Sequence, residues 1–121
     1  MAKIHNDKYY TPDSVVQKVI KVLEKDVMSI KEFSRIIEPS AGAGAFLKRL
    51  PNSAIGYDVE PQSENIIKGD YLKQNIPYTK NSLVIGNPPF GSSGNLHTEF
   101  IKKSMEHSDY VAFVLPGDMY K

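Results

Sequence analysis

The sequence predicts a single α/β domain built on a mainly parallel sheet, and three observations carry that prediction. Short β-branched or apolar runs recur, each stopped by a polar residue: Arg35-Ile36-Ile37-Glu38, Ala54-Ile55-Gly56-Tyr57 and Ser82 to Gly86. The first leads into a glycine-rich turn, Ser40-Ala41-Gly42-Ala43-Gly44, so that strand, glycine loop, helix and strand follow one another, the order found in parallel α/β folds. Two stretches outside these runs carry apolar residues at helical spacing.

Taken in order, Thr11 reads as an N-cap and Pro12 as the first helical residue. Val15, Val16, Val19, Ile20, Val22 and Leu23 then form the apolar face of a helix from Pro12 to about Lys25. Arg35 to Glu38 is the first strand, halted by Pro39. Ala45-Phe46-Leu47-Lys48-Arg49-Leu50 is expected as a short helix after the glycine turn. The second strand, Ala54 to Tyr57, stops at Asp58, and the third, Asn65-Ile66-Ile67, leads to Lys68-Gly69-Asp70. Only seven residues separate Asp58 from Ile66, whereas a parallel crossover needs roughly a dozen. That link should hold a turn of helix at most, around Pro61 to Glu64, and the third strand should be short and near a sheet edge. Ser82 to Gly86 is the fourth strand. Leu96, Phe100, Ile101 and Met105 mark a second helix, and Tyr110 to Leu115 is a fifth strand before Pro116-Gly117.

The 121 residues fit one domain, 40% of them hydrophobic, with no repeat, linker or low-complexity tract. The absence of cysteine excludes disulfides and thiolate metal sites, and His5, His97 and His107 are too scattered for a zinc cluster. No metal is expected. There is no apolar leader and no run near the roughly 20 apolar residues of a membrane span, so the chain reads as a cytoplasmic protein with no membrane partner. A net charge of +1 indicates no general nucleic-acid coat, although a local basic face is compatible with it.

In a parallel α/β sheet, ligands sit outside the carboxyl ends of the strands, near the point where strand order reverses. Glu38, Asp58, Asp70 and Asn87 all fall at such ends. Individually, Asp58 and Asp70 are equally readable as caps or turn residues; the coincidence of four polar ends on one rim is the informative part. Gly42 and Gly44 let backbone approach a ligand closely. A lone G-x-G is unspecific, but this one follows an acid, Glu38, and lacks the Lys-Ser/Thr of a triphosphate loop, which suits a ligand with a positive centre. Asp58, about 20 residues on, is placed to accept ribose hydroxyls. An adenosine carrying a cation fits both. Asn87-Pro88-Pro89-Phe90 sets an amide beside an aromatic ring, and its two prolines fix the backbone while leaving carbonyls to accept hydrogen bonds. It is an acceptor pocket for an amino group; the plainer reading is a rigid turn with a buried aromatic.

In sequence order these stretches resemble the S-adenosylmethionine-dependent amino-methyltransferases of DNA that act on adenine N6. Lys8-Tyr9-Tyr10-Thr11-Pro12 looks like the family's N-terminal cofactor motif, and Glu38-Pro39-Ser40-Ala41-Gly42-Ala43-Gly44-Ala45-Phe46 is similar to its main cofactor loop. Gly56-Tyr57-Asp58-Val59-Glu60-Pro61 resembles the ribose motif. Gly69-Asp70-Tyr71-Leu72 resembles the motif whose acid takes the cofactor's adenine amino group and whose next residue packs on the ring. Asn87-Pro88-Pro89-Phe90 matches the catalytic tetrapeptide. The resemblance runs from Lys8 to Pro116 and implies a Rossmann-like methyltransferase core with strand order 3-2-1-4-5. It implies S-adenosyl-L-methionine as cofactor and S-adenosyl-L-homocysteine as product. By this resemblance Asn87, Pro88 and Phe90 are catalytic, and Tyr10, Thr11, Pro12, Glu38, Pro39, Ser40, Gly42, Gly44, Phe46, Asp58, Val59, Asp70, Tyr71 and Asn87 bind cofactor.

The Asn87 side-chain oxygen and the Pro88 carbonyl would hold the two amino hydrogens of the target adenine, and Phe90 would stack on the base. The same tetrapeptide pattern also serves enzymes that methylate ribosomal RNA adenine or protein glutamine; the Tyr10-Thr11-Pro12 opening favours DNA. A non-catalytic cofactor-binding module is the contrasting class. The relatives continue beyond the fifth strand with two more strands and a DNA-recognition region. This sequence stops at Lys121, so residues 1–121 read as an incomplete core and the strand Tyr110 to Leu115 as an unpaired edge; the open explanations are a fragment of a longer gene, a small protein completed by a partner chain or by self-association through that strand, and a degenerate remnant that binds cofactor without turnover. His97 and the pair Lys102 and Lys103 read as solvated helix-face residues, and Gly91-Ser92-Ser93-Gly94-Asn95 as a lid or a plain connection.

Overall fold

A computed structural model of the chain describes residues 3–4, 8–9, 11–89 and 95–115. A two-residue antiparallel pair, β1 (Lys3–Ile4) with β2 (Lys8–Tyr9), precedes helix α1 (Asp13–Asp26). Next come β3 (Arg35–Glu38), β4 (Ile55–Asp58), β5 (Ile66–Lys68) and β6 (Thr79–Gly86). Helix α2 (Leu96–His107) and β7 (Ser108–Phe113) follow. The last five strands form one sheet in the order β5-β4-β3-β6-β7, every neighbouring pair parallel. Counted from β3, this is the expected 3-2-1-4-5 order of a Rossmann-like core.

Both faces of the sheet are buried, as parallel sheets require, and strand alternation divides the core in two. Ile36, Leu83 and Ile85 point to one side, where they meet Val16 and Leu23 of α1 together with Phe33, Phe46 and Leu50. Ile37 and Val84 point to the other, against Tyr71 and Phe100. The seven residues between β4 and β5 form turns and bends without a helix, and the three-residue β5 lies at one edge. At the other edge, β7 pairs with β6 alone among the described residues. Tyr110, Ala112 and Val114 pack towards the α1 side, Val111 and Phe113 towards α2. An apolar groove of about 380 Å³ runs between α1 and this edge.

Four local expectations change. Pro12, not Thr11, is the N-cap of α1, and its carbonyl takes the N–H groups of Val15 and Val16; Thr11 uses its hydroxyl elsewhere. Val22, counted on the apolar face, is 56% exposed. The helix expected over Ala45 to Leu50 is a run of turns ending in one 3-10 turn, Leu47–Arg49. Gly42 and Gly44 keep the chain turning at φ 57° and 89°, and Pro51 forces Leu50 into an extended conformation, so no length remains for an α-helix. Finally, β6 begins three residues early, at Thr79.

Candidate active site at the carboxyl ends of the strands

Strand order reverses between β3 and β6, so Glu38 and the Gly86-Asn87 step sit side by side at the switch point. The loop after β3 is tied to the end of β4 and to the turn that follows it by three hydrogen bonds. Ala41 N–H donates to the Tyr57 carbonyl (2.8 Å) and Gly42 N–H to Asp58 Oδ2 (2.8 Å), while Gln62 N–H donates to the Gly42 carbonyl (3.0 Å). Glycine is needed at Gly42 for its left-handed φ rather than for room: an added Cβ there would meet nothing within 4 Å. The loop therefore shows an open face.

Asp58 is buried, and its second carboxylate oxygen accepts the Glu60 N–H (2.8 Å). Its plain role as a turn residue is thus realised. Asp70 likewise caps a 3-10 turn, Tyr71–Lys73, by accepting the Leu72 N–H at 3.0 Å. Between the two acids lies a cavity of about 200 Å³. Pro39, Ser40, Val59, Gly69 and Pro89 form its rim, and Tyr71, Leu72, Leu96 and Phe100 its apolar wall. That volume is below the roughly 300–1,000 Å³ of sites for drug-sized ligands and suits one flat ring system.

Glu38 is 2% exposed, and its Oε1 has no hydrogen-bond partner among the described residues. Burial pushes its carboxyl well above the usual range; a hydrogen bond from the Leu47 backbone opposes that shift, and nearby Asp58 adds to it. A Cβ on Gly86 would come within 3.1 Å of Glu38 Cγ, so the absence of a side chain at Gly86 is what lets this carboxyl lie over the end of β6. A buried carboxyl with an unpartnered oxygen is complementary to a cation or a strong hydrogen-bond donor.

Asn87 joins the remaining motifs. Its backbone carbonyl accepts from Ser40 Oγ at 2.9 Å, and its Nδ2 donates to Thr11 Oγ1 at 3.3 Å. Residues 11, 40 and 87, far apart in sequence, meet here. Thr11 reaches this position because α1 starts beside the glycine loop, where Asp13 in its first turn holds Arg49 through two hydrogen bonds. A scan of protein-family models matches nothing in the chain, and a search of curated proteins finds no match.

Most expected site residues gather at this rim, with exceptions. Phe46 is fully buried in the core on the α1 side and does not line the cavity, because the turns after Gly44 drive its ring under the loop. Tyr71 lines the cavity, as expected, and is 1% exposed, with its hydroxyl bound to Ser104 and His107 inside the protein. Pro12 is exposed at the start of α1, and Pro88 is buried. Tyr10, Phe90 and the segment 91–94 lie outside the described residues. His97, expected on a solvated face, is 7% exposed. Lys103 is drawn inward too, its ammonium donating to the Gln74 carbonyl and sitting 5.8 Å from the centre of the Tyr71 ring. Leu72, Leu96 and Phe100 also line the cavity, outside the set that the sequence assigns to the site; the four-residue spacing of Leu96 and Phe100 marks a buried face without saying what it faces. Among the described residues no three His, Cys, Asp or Glu side chains group as metal ligands, and no helix is long and apolar enough to cross a membrane.

Proposed function

We propose that this chain is the cofactor-binding and catalytic core of an S-adenosylmethionine-dependent methyltransferase acting on adenine N6 in DNA. The observation that carries the reading is the meeting of Thr11, Ser40 and Asn87 beside a cavity bounded by Asp58 and Asp70. Three of the motifs that resemble the family thereby share one site, and the other two border it. The residues also fit the cofactor chemically. The cavity offers an apolar wall for a flat ring with carboxylates on its border, and Glu38 offers a buried, unpartnered oxygen to a cationic group.

In this reading Asp58 accepts from the ribose, Asp70 accepts from the adenine amino group, and Leu72, Leu96 and Phe100 enclose the ring. When bound, S-adenosylmethionine supplies an electrophilic methyl on its sulfonium. The amino nitrogen of the target adenine is a poor nucleophile because its lone pair is delocalised into the ring. The Asn87 side-chain oxygen and the Pro88 carbonyl accept its two hydrogens and so localise that pair. Thr11 holds the amide nitrogen of Asn87, which orients its side-chain oxygen, and Ser40 holds the Asn87 backbone carbonyl, which anchors the peptide leading into Pro88 before the substrate arrives. Positioning and electrostatics of this kind supply the acceleration. A base in a duplex must first leave the stack, at a cost of about a few kcal/mol that stacking on Phe90 offsets in part. Among the described residues β7 has no neighbour on its outer side, and that edge is where a further strand or a partner chain would add.

Incubation with methyl-labelled S-adenosylmethionine and DNA tests the proposal, with RNA and protein as parallel substrates. Label is expected in N6-methyladenine of DNA. Label in RNA or protein instead redirects the substrate assignment, and binding without transfer to any of the three overturns the enzymatic reading.

A further inference from the structure

Behind the cavity wall lies a buried hydrogen-bonded chain that the proposed reaction does not use. Tyr71 Oη is 2.8 Å from Ser104 Oγ and 2.5 Å from His107 Nε2. His107 Nδ1 is 2.8 Å from Ser108 Oγ and 3.3 Å from Arg35 Nη2. Arg35 Nη2 also donates to the His107 carbonyl at 2.8 Å, and Ser104 Oγ donates to the Phe100 carbonyl at 2.7 Å. Tyr71, Ser104 and His107 are each 2% exposed or less. Side chains so deeply buried retain polar groups only where those groups are paired.

The direction is read from the Ser104 end. The one proton of Ser104 goes to the Phe100 carbonyl, so the Tyr71 O–H donates to Ser104, and the Tyr71 oxygen accepts from Nε2–H of His107. Nδ1 is then the lone-pair side of the imidazole, with Ser108 Oγ, at 2.8 Å, its nearer partner. The histidine is neutral, since burial first, and then Arg35 and Lys103, push its pKa down to about 4. The polar atoms of Tyr71, Ser104 and His107 are all paired, whereas the Nε of Arg35 has no partner among the described residues, and the chain ends on Phe100, whose ring lies 5.2 Å from that of Tyr71. Both rings form the cavity wall.

We propose that His107 is a positioning residue for the ligand cavity: through its Nε2–H it holds the Tyr71 hydroxyl, and so fixes the Tyr71 and Phe100 rings as the surface on which a flat ring packs. The inference rests on the adenosine reading of the cavity. His107 sits at the last turn of α2, and Arg35 at the amino end of β3, so the wall is braced from the opposite end of the sheet.

Calorimetric titration with S-adenosylhomocysteine, alongside thermal unfolding, separates positioning from mere stability. His107→Phe removes the donor and is expected to weaken binding about tenfold, the order of one buried hydrogen bond. His107→Gln, which keeps an N–H donor, should restore most of it. Tyr71→Phe should weaken binding similarly, and the double variant Tyr71→Phe/His107→Phe should bind no worse than either single one, because both act through the same bond. Lower Tm with unchanged affinity in His107→Phe overturns the inference, as does additivity in the double variant. Should His107→Phe fail to fold, unchanged affinity in Tyr71→Phe alone overturns it. A wild-type protein that binds no S-adenosylhomocysteine refutes the adenosine reading and this inference with it; a wild type that binds, with variants indistinguishable from it, refutes the inference alone.

Discussion

Replacing His107 with Gln should remove a large part of the protein's acid sensitivity. The imidazole is 2% exposed, and its pKa is pushed from 6.5 down to about 4 by burial, by Arg35 and by Lys103. Above pH 6.5 the group is neutral in both folded and unfolded chains. Between 6.5 and about 4 the unfolded chain takes up a proton that the folded protein refuses, so stability falls as pH falls. At about 1.4 kcal/mol for each pH unit, that interval amounts to about 3 kcal/mol, a substantial share of the roughly 5–15 kcal/mol that holds a domain folded. Glu38 titrates the other way. Its raised pKa stabilises the folded state at low pH, and that contribution is lost as pH rises from the ordinary value of 4.5, so the wild-type profile mixes the two. The difference between wild type and His107→Gln isolates the histidine. Urea unfolding followed by circular dichroism between pH 4 and 7.5 should show that difference shifting against the wild type by about 3 kcal/mol as pH falls. A difference that stays constant across the range refutes the reasoning.

Other sites give sharper functional expectations. Glu38→Gln removes a buried carboxyl with an unpartnered oxygen; it should raise thermal stability at pH 8 by about 1 kcal/mol while sharply weakening S-adenosylmethionine binding, both readable from one set of thermal-shift titrations. Gly42→Val forces a β-branched residue to φ 57°, which should cost about 1–3 kcal/mol in urea unfolding and disturb the loop's bond to Asp58. Asp70→Ala loses the Leu72 cap and should weaken cofactor binding about tenfold or more, the value of one hydrogen bond to a charged group; unchanged affinity means that the site is misassigned. Asn87→Ala should keep S-adenosylhomocysteine affinity within about threefold and abolish methyl transfer, the pattern of a residue acting on the reacting nitrogen.

The sheet was legible because its strands are short, apolar and closed by polar residues, and because parallel pairing leaves few topologies. The position of β5 at the edge followed from the seven residues before it. The rim was legible because Glu38 and Asp58 each end a strand and Asn87 and Asp70 follow one within two residues, and strand ends fall together in this architecture. What the sequence hid was where side chains go once the backbone is placed. Phe46 sits inside a cofactor-like loop and turns into the core, a consequence of the two left-handed glycines. Thr11 looked like a cap and serves Asn87 instead, a contact across 76 positions that no local preference encodes. Arg35, Ser104 and His107 belong to no motif; their association depends on the end of α2 meeting the start of β3, which only the tertiary structure supplies.

The proposed function requires S-adenosylmethionine to bind at the carboxyl ends of the strands. Titration of isotopically labelled protein with S-adenosylmethionine, read by amide resonances, tests this directly. The largest shifts are expected at residues 40–44, at Asp58 and Val59, over residues 69–72 and at Asn87, with Ser34, just before β3, and Lys80, near the start of β6, unmoved. Saturation without shifts there, or with shifts clustered in the groove between α1 and β7, contradicts that proposal.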